Sequence, residues 1–433
     1  MKPSYYNHYI KDENAVILYN AFSDSYLFFK TDIFNHFESN IDTLSIFQQN
    51  FPKQYETLYN NGFIVADGSN EKNVFQNFYY ERKFSRTNYQ LIINPTLNCN
   101  LACWYCYENH VEKSTMSKEL ITKTLSHIEL KYKTDKFQRL QLMFFGGEPL
   151  LKINIVKELL SKVKRISDDN EFKLMVHFTT NGTIIPDSLL SFLKEYNVSF
   201  QITLDGSKSV HDRSRIYKNN NSLGSYDTIV QNLKRITETL VDYKLNIRVN
   251  FNHEIISSLY QLVNDMDFCN RQNTSFSLHK IWQVNNLEID NEMLFNFINF
   301  AKNKNFIVNF MNFDNSLSNC YADNYNQAII NYDGKVFKCT ARDFSTSEPE
   351  GELLDNGMIN WNLEKFLDRM NIRLPKICEE CKLLPACPGI CSQKILEKGN
   401  DVICILNNQF STNDYIIHNL NKQLLINKLN KLQ

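Results

Sequence analysis

From residue 88 to about 310 the chain alternates short runs of β-branched and aromatic residues with amphipathic stretches. This period constrains the fold more than any other feature. Strand candidates are residues 90–94, 140–145, 173–178, 198–204, 246–251 and 275–279. Helical patterns lie between or after them at 117–131, 154–166, 187–196, 225–240, 257–270 and 291–304. Six βα units of this kind imply parallel strands joined by right-handed crossovers. Six are too few to close an eight-stranded barrel, so the expected fold is α/β, a partial (β/α)6 TIM-like barrel spanning 88–310. Functional groups then belong at the C-terminal ends of the strands, where the loops gather.

Two flanking segments break the period. In residues 1–85, runs at 15–20 and 25–29 read as a hairpin, 31–37 and 43–60 as helices, and 62–65 as a returning strand. That order suggests a small winged-helix-like module, with the polar residues 67–86 as a linker or arm. Residues 311–410 are rich in cysteine and turn signals such as Asp333-Gly334, and segments like this often need metal to stay folded. Residues 411–433 contain a final helical pattern over 413–432.

The chain has eleven cysteines, ten of them in two regions, 99–106 and 320–404. With an N-terminus lacking the apolar stretch of a signal peptide, metal ligation explains them better than disulfides. Cys269 stands apart in a helical pattern and reads as a small buried apolar residue. Cys99, Cys103 and Cys106 begin five residues after the first strand, with Tyr105 just before the last. Three thiolates at this spacing fill three corners of a cubic iron–sulfur cluster and leave the fourth iron open to a small molecule. The competing use is a zinc site, which usually takes four ligands, often in paired Cys-x-x-Cys arms. Net charge is −1, so no nucleic-acid footprint is expected. No run of eighteen apolar residues occurs, and the expected location is cytoplasmic, without a membrane span.

The cysteine triplet resembles the signature of the radical S-adenosylmethionine (radical SAM) enzymes. The resemblance implies a 4Fe–4S cluster on Cys99, Cys103 and Cys106, with SAM on the open iron. Reductive cleavage of SAM would give a 5′-deoxyadenosyl radical that abstracts a hydrogen atom. Four further segments sit where this family keeps its SAM contacts. Gly146, Gly147, Glu148 and Pro149 follow the second strand, the glycines letting the backbone approach the methionyl amino group. Thr179, Thr180, Asn181, Gly182 and Thr183 follow the third strand. Asp205 and Gly206 follow the fourth, with Arg215 behind them, and Arg248 and Asn250 lie on the fifth. The resemblance therefore assigns cofactor contacts to Tyr105, Gly146, Gly147, Glu148, Thr180, Asn181, Asp205, Arg215 and Asn250. It identifies no catalytic base.

Cys320 and Cys339, then Cys378, Cys381, Cys387, Cys391 and Cys404, resemble the seven-cysteine SPASM domain of radical SAM enzymes that modify peptides and proteins. By that resemblance Cys378, Cys381, Cys387 and Cys404 hold an outer auxiliary 4Fe–4S cluster. Cys320, Cys339 and Cys391 hold an inner one, for three clusters in all. Sulfatase-maturating members carry an extra cysteine shortly after the first. Here that segment contains none, which leaves the fourth inner iron to a substrate group, Asp323 or another residue. A zinc-binding domain is the alternative for this region. The 1–85 unit is similar in length and pattern to leader-peptide-recognition domains of ribosomal-peptide maturases, which add an extended leader to their hairpin. A structural cap is the other reading of this unit.

The resemblance implies a radical SAM/SPASM maturase that installs a crosslink or related radical modification on a ribosomally made precursor peptide. An external donor of flavodoxin or ferredoxin type would feed it electrons. A sulfatase-type protein maturase, a peptide epimerase and a peptide-binding iron–sulfur scaffold without radical chemistry are the alternatives.

Overall fold

The structure, a computed structural model, describes residues 1–281, 290–310, 320–387, 389–399, 404–406 and 410–431. The chain divides into two compact units. One comprises Met1–Phe84, Asn312–Cys320 and Asn371–Leu424; the other comprises Ser85–Met311, Tyr321–Met370 and Leu425–Gln433. The expected boundary at 311 falls outside the described residues, as does the end of the last helix at Leu432.

In the first unit, strands Asn7–Lys11, Ala15–Asn20 and Ser25–Lys30 form an antiparallel sheet in chain order. The expected hairpin thus gains a strand. Val16, Leu18, Phe34, Phe37 and Phe47 form its core with Leu58 and Phe63. The single helix expected over 43–60 is two, Leu44–Asn50 and Pro52–Asn60. The break is at Phe51, because proline disfavours helical geometry in the residue before it. Residues 67–86, expected as a linker or arm, contain the helix Glu71–Lys83. Asn70 caps it by accepting from the Asn73 amide at 3.2 Å, and Phe75 and Tyr79 are buried one turn apart. The surrounding charge obscures that short apolar stripe in the sequence. The C-terminal helix Thr412–Asn430 meets the sheet through Asn419, whose amide donates to the Tyr26 hydroxyl at 2.9 Å.

The second unit is built on eight parallel strands, numbered here along the chain. They are β1 (Asn88–Ile93), β2 (Arg139–Phe144), β3 (Lys173–Thr180), β4 (Val198–Thr203), β5 (Tyr243–Phe251), β6 (Thr274–Lys280), β7 (Ile307–Phe310) and β8 (Gln327–Ile330). Their spatial order is β7-β6-β5-β4-β3-β2-β1-β8, and three antiparallel strands continue it past β8. The sheet is therefore wider than the six strands expected. β1–β6 are those six, and β7 and β8 extend the two sides. Both additions have four residues, too short to show a period, and β8 finds its partner across 237 positions of chain. No pairing closes the sheet among the described residues, so the barrel is open as expected.

Side chains alternate across the sheet. Phe144, Phe178 and Phe200 stack on one face of β2–β4, with ring centroids 5.3 and 5.4 Å apart. The other face carries polar groups in register: Thr179 lies opposite Gln201, and Thr203 opposite Arg248. A polar inner face on a buried parallel sheet is costly unless it lines a site.

His127, on the helix Lys118–Asp135, shows how buried titratable groups are held neutral. Its Nδ1 lies 2.8 Å from the Gly357 carbonyl, and its Nε2 lies 2.6 Å from the Tyr89 hydroxyl. One nitrogen donates and the other accepts, which only neutral imidazole can do. Burial pushes its pKa down to about 4. The unfolded chain therefore takes up the proton first, and this stabilisation is lost as pH falls from about 6.5 toward 4. The full contribution is on the order of 3 kcal/mol. Urea unfolding of the metal-free chain should show stability falling across that window, with a shallower slope in His127→Gln.

Candidate active site at the strand ends

The loop after β1 carries the cysteine triplet, and its shape is set by the loop after β2. Gly146 has φ +104°, and a Cβ there would lie 2.4 Å from the Thr96 carbonyl oxygen. A Cβ on Gly147 would lie 2.3 Å from the Asn98 carbonyl oxygen. The backbone bonds explain the closeness: the Gly147 amide donates to Thr96 at 3.2 Å, and the Glu148 amide to Asn98 at 2.8 Å. Both glycines are needed because the two loops press together.

Glu148 joins a third loop to this pair. Its Oε1 accepts from the Leu150 amide at 2.9 Å and the Thr180 hydroxyl at 2.7 Å, and its Oε2 from the Asn181 amide at 2.7 Å. Burial raises its pKa, while these hydrogen bonds and Arg215 act in the opposite direction. Glu148 is fully buried and ties the loops after β2 and β3 together; it is not among the residues lining the cavity below.

The fourth and fifth strand ends meet at Tyr105. Its hydroxyl donates to Asp205 and accepts from Arg215 Nη1 at 2.7 Å, with the Asn250 side-chain amide at 3.3 Å. Asp205 also accepts from the Asn250 backbone amide at 2.8 Å. Asp205 is fully buried, lies outside the cavity lining and fixes Tyr105 and Asn250 from behind. Burial raises its pKa, opposed by Arg215 and these bonds. Arg215 is placed by a small sheet that the sequence did not reveal: strand Arg215–Tyr217 pairs antiparallel with Leu101–Cys103, setting Arg215 opposite Cys103. Its Nε is buried with no hydrogen-bond partner among the described residues.

These parts enclose a cavity of about 170 Å³ at the C-terminal ends of the strands. Cys99, Cys103 and Cys106 line it, as do seven of the nine expected cofactor contacts, all but Glu148 and Asp205. Burial pushes the Cys99 thiol up to about 12, and raises Cys103 and Cys106 as well. Bare thiolates are thus disfavoured here, and a bound cation would reverse that balance. The Leu101 amide lies 3.5 Å from Cys99 Sγ, and Asn181 Nδ2 lies 3.6 Å from it. Among the described residues no three such side chains converge on one ion position.

Residues outside the expected contacts also line the cavity, among them Tyr107, Glu108, Gln201, Thr203, Arg248 and Lys280. For Gln201, Thr203 and Arg248 the signal in the sequence is the alternation of β4 and β5, which turns positions 201 and 203, and 248 and 250, to one face. Arg248 Nε donates to Asn250 Oδ1 at 3.0 Å.

Of the other cysteines, Cys378, Cys381, Cys387 and Cys404 lie in the first unit and lie close enough to act on one another. Burial pushes the Cys387 thiol up to about 12, and the neighbouring thiols Cys378, Cys381 and Cys404 add to it. The amides of Leu383 and Gly389 each lie 3.4 Å from a sulfur, Cys381 and Cys387 respectively. Cys320 and Cys391 also belong to the first unit and Cys339 to the second. Asp323 is buried in a short turn, Tyr321–Asp323.

Residues 93–265 match the model of the radical SAM superfamily. This segment is a radical SAM domain, a family feature that implies a 4Fe–4S cluster and SAM. Across most of its length it is similar to the radical SAM cyclopropyl synthase TigE of Paramaledivibacter caminithermalis, at 24% identity over 86% of this chain and 82% of TigE. It is 31% identical to a cysteine-type anaerobic sulfatase-maturating enzyme of Clostridium novyi, over 41% of this chain and about half, 48%, of that protein. The fold is similar to anSMEcpe with bound AdoMet, with TM-score 0.59, 18% identity, and coverage of 79% of this chain and 99% of that one. It is also similar to Streptococcus suis SuiB bound to S-adenosylmethionine, with TM-score 0.50, 16% identity, and coverage of 92% and 97%. No helix among the described residues is long and apolar enough to cross a membrane.

Gly147→Ala should force the loop before Cys99 to move, because the obstructing atom belongs to the backbone. Anaerobically reconstituted protein should then lose about four irons per chain with far-ultraviolet circular dichroism unchanged. Wild-type iron content in this variant would contradict the clamp.

Proposed function

We propose that this chain is a peptide maturase that uses radical SAM chemistry on a ribosomally made precursor. The observation that carries it is the cavity in which the three thiols, Tyr105, Arg215 and the two loop glycines face one another. Cys99, Cys103 and Cys106 hold the SAM-binding cluster. When bound, the cluster and SAM supply a 5′-deoxyadenosyl radical able to remove a hydrogen atom from an unreactive carbon. The chain's own residues position and protect. Gly146, Gly147, Thr180, Asn181 and Asn250 contact SAM, and Tyr105 lies against it. Arg215 offers an unpaired buried Nε to the SAM carboxylate. Glu148 and Asp205 act one step back, holding those contacts in place.

Two further 4Fe–4S clusters complete the proposal, giving three. Cys378, Cys381, Cys387 and Cys404 hold the outer one, which the mutual influence of these thiols supports. Cys320, Cys339 and Cys391 hold the inner one, with its fourth iron open to substrate or taken by Asp323. The cysteine-rich part, 311–410, is then a SPASM domain. The 1–85 unit, with a three-stranded sheet and its helices, is the winged-helix-like reader of the precursor's leader. A flavodoxin- or ferredoxin-type protein delivers electrons, and the enzyme is cytoplasmic.

A precursor peptide is favoured over a sulfatase substrate by coverage. Similarity to TigE runs through most of both chains, whereas that to the sulfatase-maturating enzyme of Clostridium novyi spans about half of its length. SuiB has also been solved with the precursor peptide SuiA.

The test is mass spectrometry of the peptide encoded beside this gene, incubated with reduced enzyme and SAM. A mass loss of two hydrogens or another defined shift should accompany release of 5′-deoxyadenosine, and neither should occur with Cys99, Cys103 and Cys106 all changed to Ala. Deleting residues 1–85 should spare SAM cleavage and cut peptide modification about tenfold or more. An unmodified precursor alongside a modified sulfatase-type peptide would overturn the substrate assignment.

A further inference from the structure

Two arginines, Arg215 and Arg248, line the cavity that holds the thiols. SAM brings one carboxylate, and Arg215 is its partner. Arg248 is left over. It lies on β5, with Thr203 of β4 opposite it in register and on the same polar face. Its Nε donates to Asn250 Oδ1 at 3.0 Å, which fixes the plane of the guanidinium. Neither Nη has a hydrogen-bond or ion-pair partner among the described residues, and both keep accessible surface. Burial lowers the pKa of Arg248, and Tyr107, Tyr105 and Asp205 nearby offset that only in part. A guanidinium taken out of water without an anion is costly. Its best partner is a carboxylate held by two parallel N–H bonds.

A second free donor faces the same cavity. Ser277 Oγ donates to Asn246 Oδ1 at 2.7 Å, so Asn246 turns its side-chain nitrogen to Gln201 Oε1, at 3.4 Å. The Gln201 side-chain NH2 is then left without a partner among the described residues, on a residue that lines the cavity. Gln201 lies opposite Asn246, so it and Arg248 are diagonal neighbours on adjacent strands. The atoms they leave free are all donors, and one set carries a positive charge. The complement of such a set is an anionic acceptor, not an amide, a hydroxyl or a cation.

We propose that Arg248, with Gln201 beside it, is a specificity site for a carboxylate of the substrate peptide, an Asp or Glu side chain at or next to the residue that reacts. The inference rests on the maturase reading for the source of that carboxylate, and on the cavity alone for its chemistry. An acidic side chain fixed here holds the adjoining C–H in the same cavity as the SAM-binding cluster. A neutral or basic segment leaves the guanidinium unpaired, which discriminates against it.

The test uses anaerobically reconstituted enzyme loaded with SAM and two probes, N-acetyl-aspartate N-methylamide and N-acetyl-asparagine N-methylamide, by isothermal titration calorimetry. The probes share a shape and differ in charge. Wild type should bind the acid with a dissociation constant on the order of 1 mM and the amide about tenfold more weakly. Arg248→Gln should bind both alike. Arg248→Lys, which keeps the charge without the fork, should retain about a threefold preference. Equal binding of the probes to wild type, no binding of the acid at several millimolar, or an undiminished preference in Arg248→Gln would overturn the carboxylate site and leave the maturase reading standing. Acid binding seen only without SAM would overturn it too, because Arg248 would then serve the carboxylate of SAM. In the peptide encoded beside this gene, an Asp or Glu should be at or next to the modified residue, and its amide variant should raise KM about tenfold. A modified peptide lacking such a residue would overturn the substrate assignment. A peptide left unmodified would count against the maturase reading, while the probe titration still decides the carboxylate site.

Discussion

Everything at the candidate active site depends on the contact between the loops after β1 and β2. Gly146 and Gly147 lie so close to residues 96–98 that no side chain fits between the two backbones. Two backbone hydrogen bonds hold that approach, and Glu148 carries it onward to Thr180 and Asn181. The position of Cys99 is thus fixed by three strands at once. A site that must hold a small cofactor beside a reactive carbon needs that kind of support, because small errors in placement are costly in rate.

Around this frame several ionisable groups are buried as a set. Asp205, Tyr105 and Arg215 share one network, so each charge finds an opposite charge or a donor within reach. Removing one member leaves the others unpaired, which for buried ions costs on the order of 3–5 kcal/mol. The thiols and Glu108 lack such partners: burial pushes all of them up, and nothing in the chain offsets it fully. A bound cation would lower all three thiols again, because it is the strongest local positive charge such a site can hold.

The βα period made six strands legible, and the rule that groups gather at strand ends located the site. The cysteine triplet gave its chemistry. What the sequence hid has physical causes. β7 and β8 are four residues long and show no period; β8 is recognisable only through its distant partner. The strand placing Arg215 opposite Cys103 is three residues long, and the helix Glu71–Lys83 keeps its short apolar stripe among charges. Glu148 and Asp205, expected as cofactor contacts, are held by hydrogen bonds to neighbouring loops and lie outside the cavity lining. That distinction between contacting and positioning is three-dimensional. Conversely, Arg248 and Thr203 line the cavity through strand alternation, a pattern visible in the sequence once the strands are placed.

The central claim is that three protein thiolates hold a cluster whose remaining iron receives SAM inside this cavity. Electron paramagnetic resonance of the anaerobically reconstituted, reduced protein tests it most directly, using a variant with the other cysteines of 320–404 changed to Ala so that one cluster remains. Addition of SAM should change the g-values of the reduced 4Fe–4S signal, and Cys103→Ala should abolish the signal itself. A signal indifferent to saturating SAM, or stoichiometric zinc in place of iron, would contradict it.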